Sequence, residues 1–171
     1  MGYGGPMLAP DTPILLLTTG GTIDKIYFDA LSDYQVGDTV VGRLLELGRV
    51  QRPFRIEEVV RKDSLELTDA DRALIRARVS AAPESHIVIT HGTDTMTETA
   101  KVLADLPGKV IVMVGALAPA RFGESDASFN LGMAFAAVQI AEPGVYIAMS
   151  GSVFPADRVV KDRAKGAFVA T

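Results

Sequence analysis

The residues of this sequence that could do chemistry are two hydroxyls, a carboxylate and two candidate bases. Thr22 and the pair Thr93-Asp94 each stand where an apolar run stops at a glycine turn. A threonine hydroxyl is a weak nucleophile until a base removes its proton, and a desolvated Lys161 or an ionised Tyr34 can act as that base. This combination favours acyl transfer through a covalent intermediate, with neither a metal nor a cofactor.

Two apolar runs must position these threonines. Residues 14–19 form a continuous run typical of a strand buried on both faces, and Gly20-Gly21-Thr22 ends it. Residues 87–90 form a similar run that stops before Gly92. Ligands in open α/β sheets bind where strands end and helices begin, so both threonines are predicted at one edge of a sheet. The amides of the first turn, that of Gly21 included, are candidate donors to an oxyanion.

Strand-like and helix-like segments alternate along the whole chain. This order predicts an α/β fold: a doubly wound, mostly parallel sheet with helices on both faces, a three-layer arrangement of Rossmann or flavodoxin type in a single domain. The other strands are predicted at 54–60, 109–115 and 144–149, and the helices at 40–47, 68–82, 95–106 and 129–141. Because parallel strands end at one edge, Ser64, after the third strand, is expected beside the threonines.

The remaining segments show no clear period. Residues 1–13 are predicted to be a loose lead-in, and residues 14–171 to be the domain. Residues 23–39, interrupted by Asp24 and other polar residues, are predicted to form a long mobile loop that holds Tyr34. The stretch from residue 150 onward is predicted to be an irregular tail that carries Lys161.

Simpler structural roles compete with the chemical ones. The Thr-Gly-Gly-Thr turn by itself is a common connection between a strand and a helix. Thr95 and Glu98 have the spacing of a capping box, so we interpret Thr95 as a helix cap. Asp94 could serve only as a partner of the helix dipole, and Lys161 only as a solvated cation. The conjunction of these groups on one rim favours an enzyme.

Composition excludes several classes of function. The chain has 171 residues, a net charge of −4 and a pI of about 5.2, which argues against a nucleic-acid surface. It has no cysteine, so disulfides and thiolate sites are excluded, and its two histidines are too few for a metal cluster without carboxylates. The apolar run at 14–17 is too short for a membrane span and follows no basic segment, so we expect a cytoplasmic protein.

Two motifs resemble the signatures of a known family. Thr19-Gly-Gly-Thr-Ile23 and His91-Gly-Thr-Asp-Thr-Met96 are similar to the signature motifs of bacterial-type L-asparaginases, which related glutaminases share. Further similar segments follow in the family order, namely Tyr34-Gln-Val-Gly37, Asp63-Ser64, Val114-Gly-Ala116, residues 126–131 and residues 157–161. The resemblance runs from about residue 14 to residue 161. It covers only the family's N-terminal domain and is closest to a short-chain class.

The resemblance implies catalytic roles for five side chains. Thr22 would attack the side-chain amide of the substrate, and Tyr34 would close over it and assist removal of the proton. Thr93 and Lys161 would form a second pair of hydroxyl and base. Asp94 would bind the α-amino group of the substrate.

The resemblance also implies residues that bind the substrate. Ser64 would bind its α-carboxylate, and the carbonyl of Ala116 would face its amide. Gly21 and Asp63 belong to the same substrate-binding motifs. We therefore expect an L-asparagine amidohydrolase with no cofactor.

Loss of the usual C-terminal domain has predictable consequences. Fewer contacts to the substrate predict weak binding and little glutaminase activity. An unpaired domain is expected to expose apolar surface, which favours a homo-oligomer. Met1 and the lead-in favour a complete small protein over a fragment. The alternatives are a non-catalytic domain that binds an amino acid and an amidotransferase component that generates ammonia.

Overall fold

Strands and helices alternate in a computed structural model, which describes residues 8–28 and 33–171. The strands are β1 Ile14–Gly20, β2 Lys25–Phe28, β3 Asp33–Val36, β4 Phe54–Lys62, β5 His86–Thr90, β6 Val110–Val114, β7 Gly144–Met149, β8 Ser152–Pro155, β9 Val159–Asp162 and β10 Ala167–Ala170. The helices are α1 Val41–Leu47, α2 Asp69–Ala81, α3 Met96–Leu103 and α4 Ala127–Ala137. Short 3-10 helices span Thr22–Asp24 and Ser64–Glu66.

The main sheet has the strand order β4-β1-β5-β6-β7-β8. Its first five strands are parallel, and β8 runs antiparallel to β7. Numbered along the chain, the parallel strands follow the order 2-1-3-4-5 of flavodoxin-like folds, so the chain changes direction across the sheet between β1 and β5. Ligands bind at such a switch point, and both threonine motifs lie there. The predicted fold class is confirmed.

The alternation of side chains along the strands builds two cores. Leu15 and Ile87 pack with the residues of α2 and α3 on one face of the sheet. Leu16 and Val88 pack with α1 and α4 on the other face. All four side chains are fully buried, which is why their strands read as continuous apolar runs. Helices therefore cover both faces of the strands that lead to the two threonine motifs.

Two predictions about irregular segments were wrong. The described part of residues 23–39 begins with a 3-10 helix and continues as the antiparallel hairpin β2–β3, in which Tyr27 pairs with Tyr34. Residues 29–32 of that predicted loop lie outside the described residues. The predicted irregular tail contains β8, at the edge of the main sheet, and the hairpin β9–β10. Strands of four residues carry too little periodicity to be recognised in the sequence.

The described part of the predicted lead-in is attached to the domain by Arg52. Its Nη1 donates to the carbonyl oxygens of Ala9 at 2.7 Å and Thr12 at 3.1 Å. The backbone N–H of Leu8 donates to the carbonyl of Gln139 at 3.3 Å. Residues 1–7 lie outside the described residues. In the part of the chain that is described, no helix has both the length and the apolar character needed to cross a membrane.

Candidate active site

The ends of β1, β4 and β5 meet through direct backbone contact. A Cβ atom on Gly21 would lie 2.4 Å from the backbone nitrogen of Gly92, and a Cβ on Gly92 would lie 2.6 Å from Cβ of Ser64. Gly21 also has a φ of +88°, a conformation that favours glycine. Its N–H donates to the carbonyl of Lys62 at 3.0 Å. Glycine at both positions therefore lets three strand ends approach one another.

Thr22 follows this contact directly and begins a 3-10 helix. Its side chain is half-buried, whereas the next residue, Ile23, is fully buried and packs with Ala116 and Ala127. The carbonyl of Ile23 also accepts the N–H of Ala120 at 3.1 Å. The structure thus brings Ala116, at the end of β6, to the helix that carries Thr22.

Thr93 lies in a close polar group at the end of β5. Nζ of Lys161, on β9, lies 2.7 Å from Oγ1 of Thr93 and 2.9 Å from Oδ1 of Asp94. Thr93 is buried and Lys161 is largely buried. In its neutral form the amine could accept the hydroxyl proton, and in its charged form it donates to the oxygen. A hydroxyl and an amine at this distance can exchange a proton, which is the kind of contact that nucleophilic catalysis can use.

Asp63 and Ser64 lie beside this group at the end of β4. Asp63 caps the short helix that begins at Ser64, and its Oδ2 lies 2.6 Å from Nζ of Lys25. Burial raises the pKa of Asp63, but hydrogen bonds from Lys25 and the Leu65 amide, together with the charge of Lys161, bring that pKa below its usual value. Asp63 is therefore an anion at neutral pH. Ser64 is 2% exposed.

The prediction that Thr95 caps helix α3 was wrong. Its hydroxyl donates to the carbonyl of Ser64 at 2.8 Å, and no side chain caps the helix start. The hydroxyl of Thr95 bonds to the Ser64 carbonyl and not to the N–H groups at the helix start, because the glycine contact brings the end of β4 close to the end of β5. The side chain of Thr95 therefore fixes the position of Ser64.

His91 stabilises the same turn from inside the core. Its Nδ1 lies 2.7 Å from the carbonyl of Gly92, which can only accept, so Nδ1 carries the proton. Nε2 then accepts the hydroxyl of Thr99 at 2.8 Å. Burial lowers the pKa of His91 to about 4, so the ring is neutral. Both contacts give His91 a structural role in this turn.

Two groups that were expected to take part in the reaction, the side chain of Tyr34 and the N–H of Gly21, make other contacts in this structure. The ring of Tyr34 packs against Tyr27 and Phe122 at centroid distances of 5.5 and 5.9 Å, and the side chain is 48% exposed. Among the described residues, no hydrogen bond joins its hydroxyl to Thr22. The N–H of Gly21 is also engaged, since it donates to the Lys62 carbonyl. That amide is not directed at a substrate oxyanion in this conformation.

Sequence reasoning missed Asp24, which is 1% exposed. Its Oδ1 accepts the N–H of Val40 at 2.9 Å, and its carbonyl accepts the N–H of Gly37 at 2.9 Å. Asp24 thereby ties the hairpin that carries Tyr34 to the helix that carries Thr22. The only signal in the sequence was an acidic residue two positions after Thr22.

A second group, Asp126 with Asn130, shapes the turn after β6; the sequence placed both in a family-like segment but gave neither a role. The carboxylate of Asp126 accepts the N–H groups of Leu117 at 2.9 Å and Ala118 at 3.0 Å. Asn130 Nδ2 donates to the carbonyl of Gly115 at 3.1 Å and to Asp126. The spacing of four residues between Asp126 and Asn130 was the available signal, because it places both on one side of α4.

Comparison with known proteins places this geometry in a family. Residues 13–169 match the family model described as asparaginase, N-terminal. The chain belongs to this asparaginase family. A probable periplasmic L-asparaginase of Haemophilus influenzae is 34% identical over 170 residues, which cover 90% of this chain and 47% of that protein. The resemblance inferred from the two threonine motifs is confirmed.

Two further relatives show how the chain compares in length. A component of the glutamyl-tRNA(Gln) amidotransferase of Pyrobaculum aerophilum is 38% identical, over 72% of this chain and 31% of that protein. The thermostable L-asparaginase of Thermococcus kodakarensis has a TM-score of 0.78 and 26% identity, over 92% of this chain and 51% of that chain. This asparaginase-family chain spans about half the length of the L-asparaginases it matches.

Replacing Gly92 with alanine is expected to disrupt the contact that brings the ends of β4 and β5 together. The new methyl group would lie 2.6 Å from Ser64 Cβ, so the β4 end must move. Overpacking of this kind typically costs about 1–3 kcal/mol of the free energy of unfolding, which urea denaturation measures. The control is Gly132→Ala, on α4, where the added Cβ has no neighbour within 4 Å. Equal stability of the two variants would contradict the prediction.

Asp24→Asn is expected to stabilise the protein more at pH 8 than at pH 5. Burial raises the pKa of Asp24 to about 6, although the Val40 amide, the Thr39 hydroxyl and Arg121 act against it. Since the folded pKa exceeds the unfolded value of 3.8, stability is lost as pH rises from about 4 to about 6, by about 3 kcal/mol in all, and about 1.4 kcal/mol of this loss falls between pH 5 and pH 8. Asparagine keeps an acceptor for Val40 without this ionisation.

Urea denaturation of wild type and variant at both pH values measures this difference. Asp11→Asn, which removes an exposed carboxylate, is the control and should show the same stability as wild type at both. A stability difference for Asp24→Asn that does not change with pH would contradict the assignment.

Proposed function

We propose that this chain is an L-asparagine amidohydrolase that releases aspartate and ammonia through a threonine nucleophile. The observation that carries the proposal is the contact of Lys161 Nζ with Thr93 Oγ1 at 2.7 Å, beside the strand end that bears Thr22. Membership of the asparaginase family supports the reaction class. The chain spans only about half the length of its L-asparaginase relatives. Hydrolysis of asparagine by this chain is therefore proposed separately from the activity of those relatives.

Thr22 is the proposed nucleophile. Its oxygen attacks the amide carbon of the substrate side chain, and its proton passes to a base and then to the leaving nitrogen. The C–N bond breaks and ammonia leaves, with an aspartyl ester on Thr22. Water then cleaves the ester and returns the proton to the threonine oxygen. Since Gly21 donates to Lys62, we assign the N–H of Thr22 itself as the donor of this turn to the oxyanion.

Thr93 and Lys161 are the proposed second pair of hydroxyl and base. Their contact is already at hydrogen-bond distance, so a proton can move between them without rearrangement of the backbone. Tyr34 is proposed to cover Thr22 and assist in proton removal. This role requires its hairpin to shift from the position in which the ring packs on Tyr27 and Phe122.

The substrate is a zwitterion, and the site offers groups of both kinds. Asp94 is proposed to bind the α-ammonium group, and the hydroxyl of Ser64 to bind the α-carboxylate. The carbonyl of Ala116 is proposed to accept the side-chain N–H of the substrate. Asp63 positions Ser64 by capping the short helix that Ser64 begins.

Ammonia release from asparagine by the purified chain, at millimolar substrate, tests the proposal. Thr22→Ala should lower kcat by about 10³-fold or more, because no other group replaces the lost nucleophile. Thr97→Ala removes another half-buried threonine, on α3, and should leave the rate within about twofold of wild type. Turnover of glutamine should be lower than that of asparagine, since its extra methylene displaces the amide.

Two other outcomes would identify other functions. Aspartate binding without ammonia release would mean a non-catalytic domain that binds an amino acid. Ammonia release only in the presence of another protein would mean an amidotransferase component, and the 38% identity to a component of a glutamyl-tRNA(Gln) amidotransferase favours this candidate. Equal rates for Thr22→Ala and wild type would contradict the threonine nucleophile.

A homo-oligomer is also predicted for this chain. Large apolar side chains are exposed around helices α1 and α4, among them Leu47, Phe129 and Ile140 at 69%, 65% and 71%. Burying them between copies would remove apolar surface from water. Light scattering coupled to size-exclusion chromatography should therefore give a mass above that of the 18.2 kDa chain. A mass of one chain at every concentration would contradict this.

A further inference from the structure

A second cation stands beside Asp94. Nη2 of Arg163 lies 3.5 Å from Oδ1 of Asp94, the same oxygen that Lys161 approaches at 2.9 Å. Lys161 is largely buried and also contacts Thr93, whereas the side chain of Arg163 is 73% exposed. Lys161 is therefore engaged with Thr93 and Asp94, whereas the guanidinium of Arg163 lies beside Asp94 on the solvent-exposed side.

The fold holds Arg163 in this place. Arg163 directly follows β9, whose residue Val159 is buried in the core together with Phe168 of β10. Oδ1 of Asp162 accepts the N–H groups of Ala164 at 3.0 Å and Lys165 at 3.1 Å, which fixes the turn. The guanidinium is thus carried by an anchored hairpin.

The charges around the strand ends leave Arg163 as an additional positive charge. Lys25 and Asp63 form one neutral pair at 2.6 Å, and Lys161 and Asp94 form another at 2.9 Å. The carboxylate of an incoming substrate is repelled by the carboxylates of both Asp63 and Asp94. The hydroxyl of Ser64 donates a hydrogen bond but carries no charge. Arg163 supplies the charge that an incoming carboxylate needs.

The contacts of Asp94 leave room for a zwitterion. Both cations approach Oδ1, and within residues 8–28 and 33–171 no hydrogen-bond donor is directed at Oδ2. An ammonium group bound at Oδ2 carries its carboxylate on the same carbon, near Arg163. The 3.5 Å contact of Arg163 is longer than the roughly 2.8 Å of a strong charged hydrogen bond, so turning the exposed guanidinium away costs little.

We propose that Arg163 is a specificity-determining residue that binds the α-carboxylate of the substrate through its guanidinium fork, while Asp94 binds the α-ammonium group. Arginine suits this role because its two N–H groups match the two carboxylate oxygens. The assignment rests on the proposed function, since it takes asparagine as the substrate. It makes α-amino acid amides, and not simple amides, the class that the site selects.

Steady-state kinetics of Arg163→Gln test the proposal. KM for asparagine should rise by about tenfold with kcat within about twofold of wild type, because a charged hydrogen bond made before and during the reaction is lost. For 3-aminopropanamide, which is asparagine without its α-carboxylate, kcat/KM should not change. Arg163→Lys should recover part of the lost affinity, since it restores the charge without the fork.

Lys165→Gln is the matched control. Lys165 lies on the same turn, is 69% exposed and pairs with Asp162 at 3.5 Å, so its removal deletes the same charge at the same surface. It should leave KM for asparagine within about twofold of wild type. An equal rise of KM for asparagine in Arg163→Gln and Lys165→Gln would overturn the role of Arg163. A fall of kcat/KM for 3-aminopropanamide in Arg163→Gln as large as the fall for asparagine would also overturn it.

Binding of aspartate, measured by calorimetry, separates this proposal from the hydrolase. If the chain binds aspartate but releases no ammonia, the proposed reaction fails. In that case a weaker affinity for aspartate in Arg163→Gln alone, with binding of β-alanine unchanged, still supports the assignment. The same loss of affinity in Lys165→Gln overturns it.

Discussion

The site depends on a contact between two stretches of backbone that have no side chains. Gly21 at the end of β1 lies against Gly92 at the end of β5, and Gly92 lies against Ser64 at the end of β4. A Cβ on either glycine would overlap a neighbouring atom. Since Thr22 and Thr93 follow these glycines directly, the spacing of the strand ends determines where their hydroxyl groups lie.

The same closeness sets the electrostatics of the site. The charged side chains at these strand ends are only 18–31% exposed, so a partner of opposite charge stabilises each of them. Lys25 pairs with Asp63, and Lys161 with Asp94. Each pair places an anion and a cation on opposite elements, which suits a ligand that carries both charges. The buried ring of His91 stays neutral and adds no charge.

Much of this arrangement could be predicted because it follows from patterns along the chain. The buried run of β1 ends at Thr22, and the run of β5 ends before Thr93, so the rule for parallel strands was enough to place both on one edge. The prediction for β7 agrees with Gly144–Met149. Continuous apolar runs identify central strands because both faces are covered.

The remaining features depend on contacts between distant parts of the chain. Lys161 and Thr93 are 68 positions apart in the sequence. The residue pattern predicted only that Lys161 lies on the same rim as Thr93, and the family resemblance implied that the two side chains form a pair. The spacing of Thr95 predicted a helix cap, but the carbonyl of Ser64 binds its hydroxyl instead. The short strands of the two hairpins have no period long enough to recognise. Burial of Asp24 depends on packing that sequence does not record.

The most direct test of Thr22 as the nucleophile is the mass of the protein after rapid mixing with asparagine and acid quenching. Fragmentation in the mass spectrometer would then locate any aspartyl group. If Thr22 is the nucleophile, this group is attached to fragments that contain Thr22 and is absent from the Thr22→Ala variant. An aspartyl group on Thr93, or ammonia release with no covalent intermediate at any time, would contradict the assignment of Thr22 as the nucleophile.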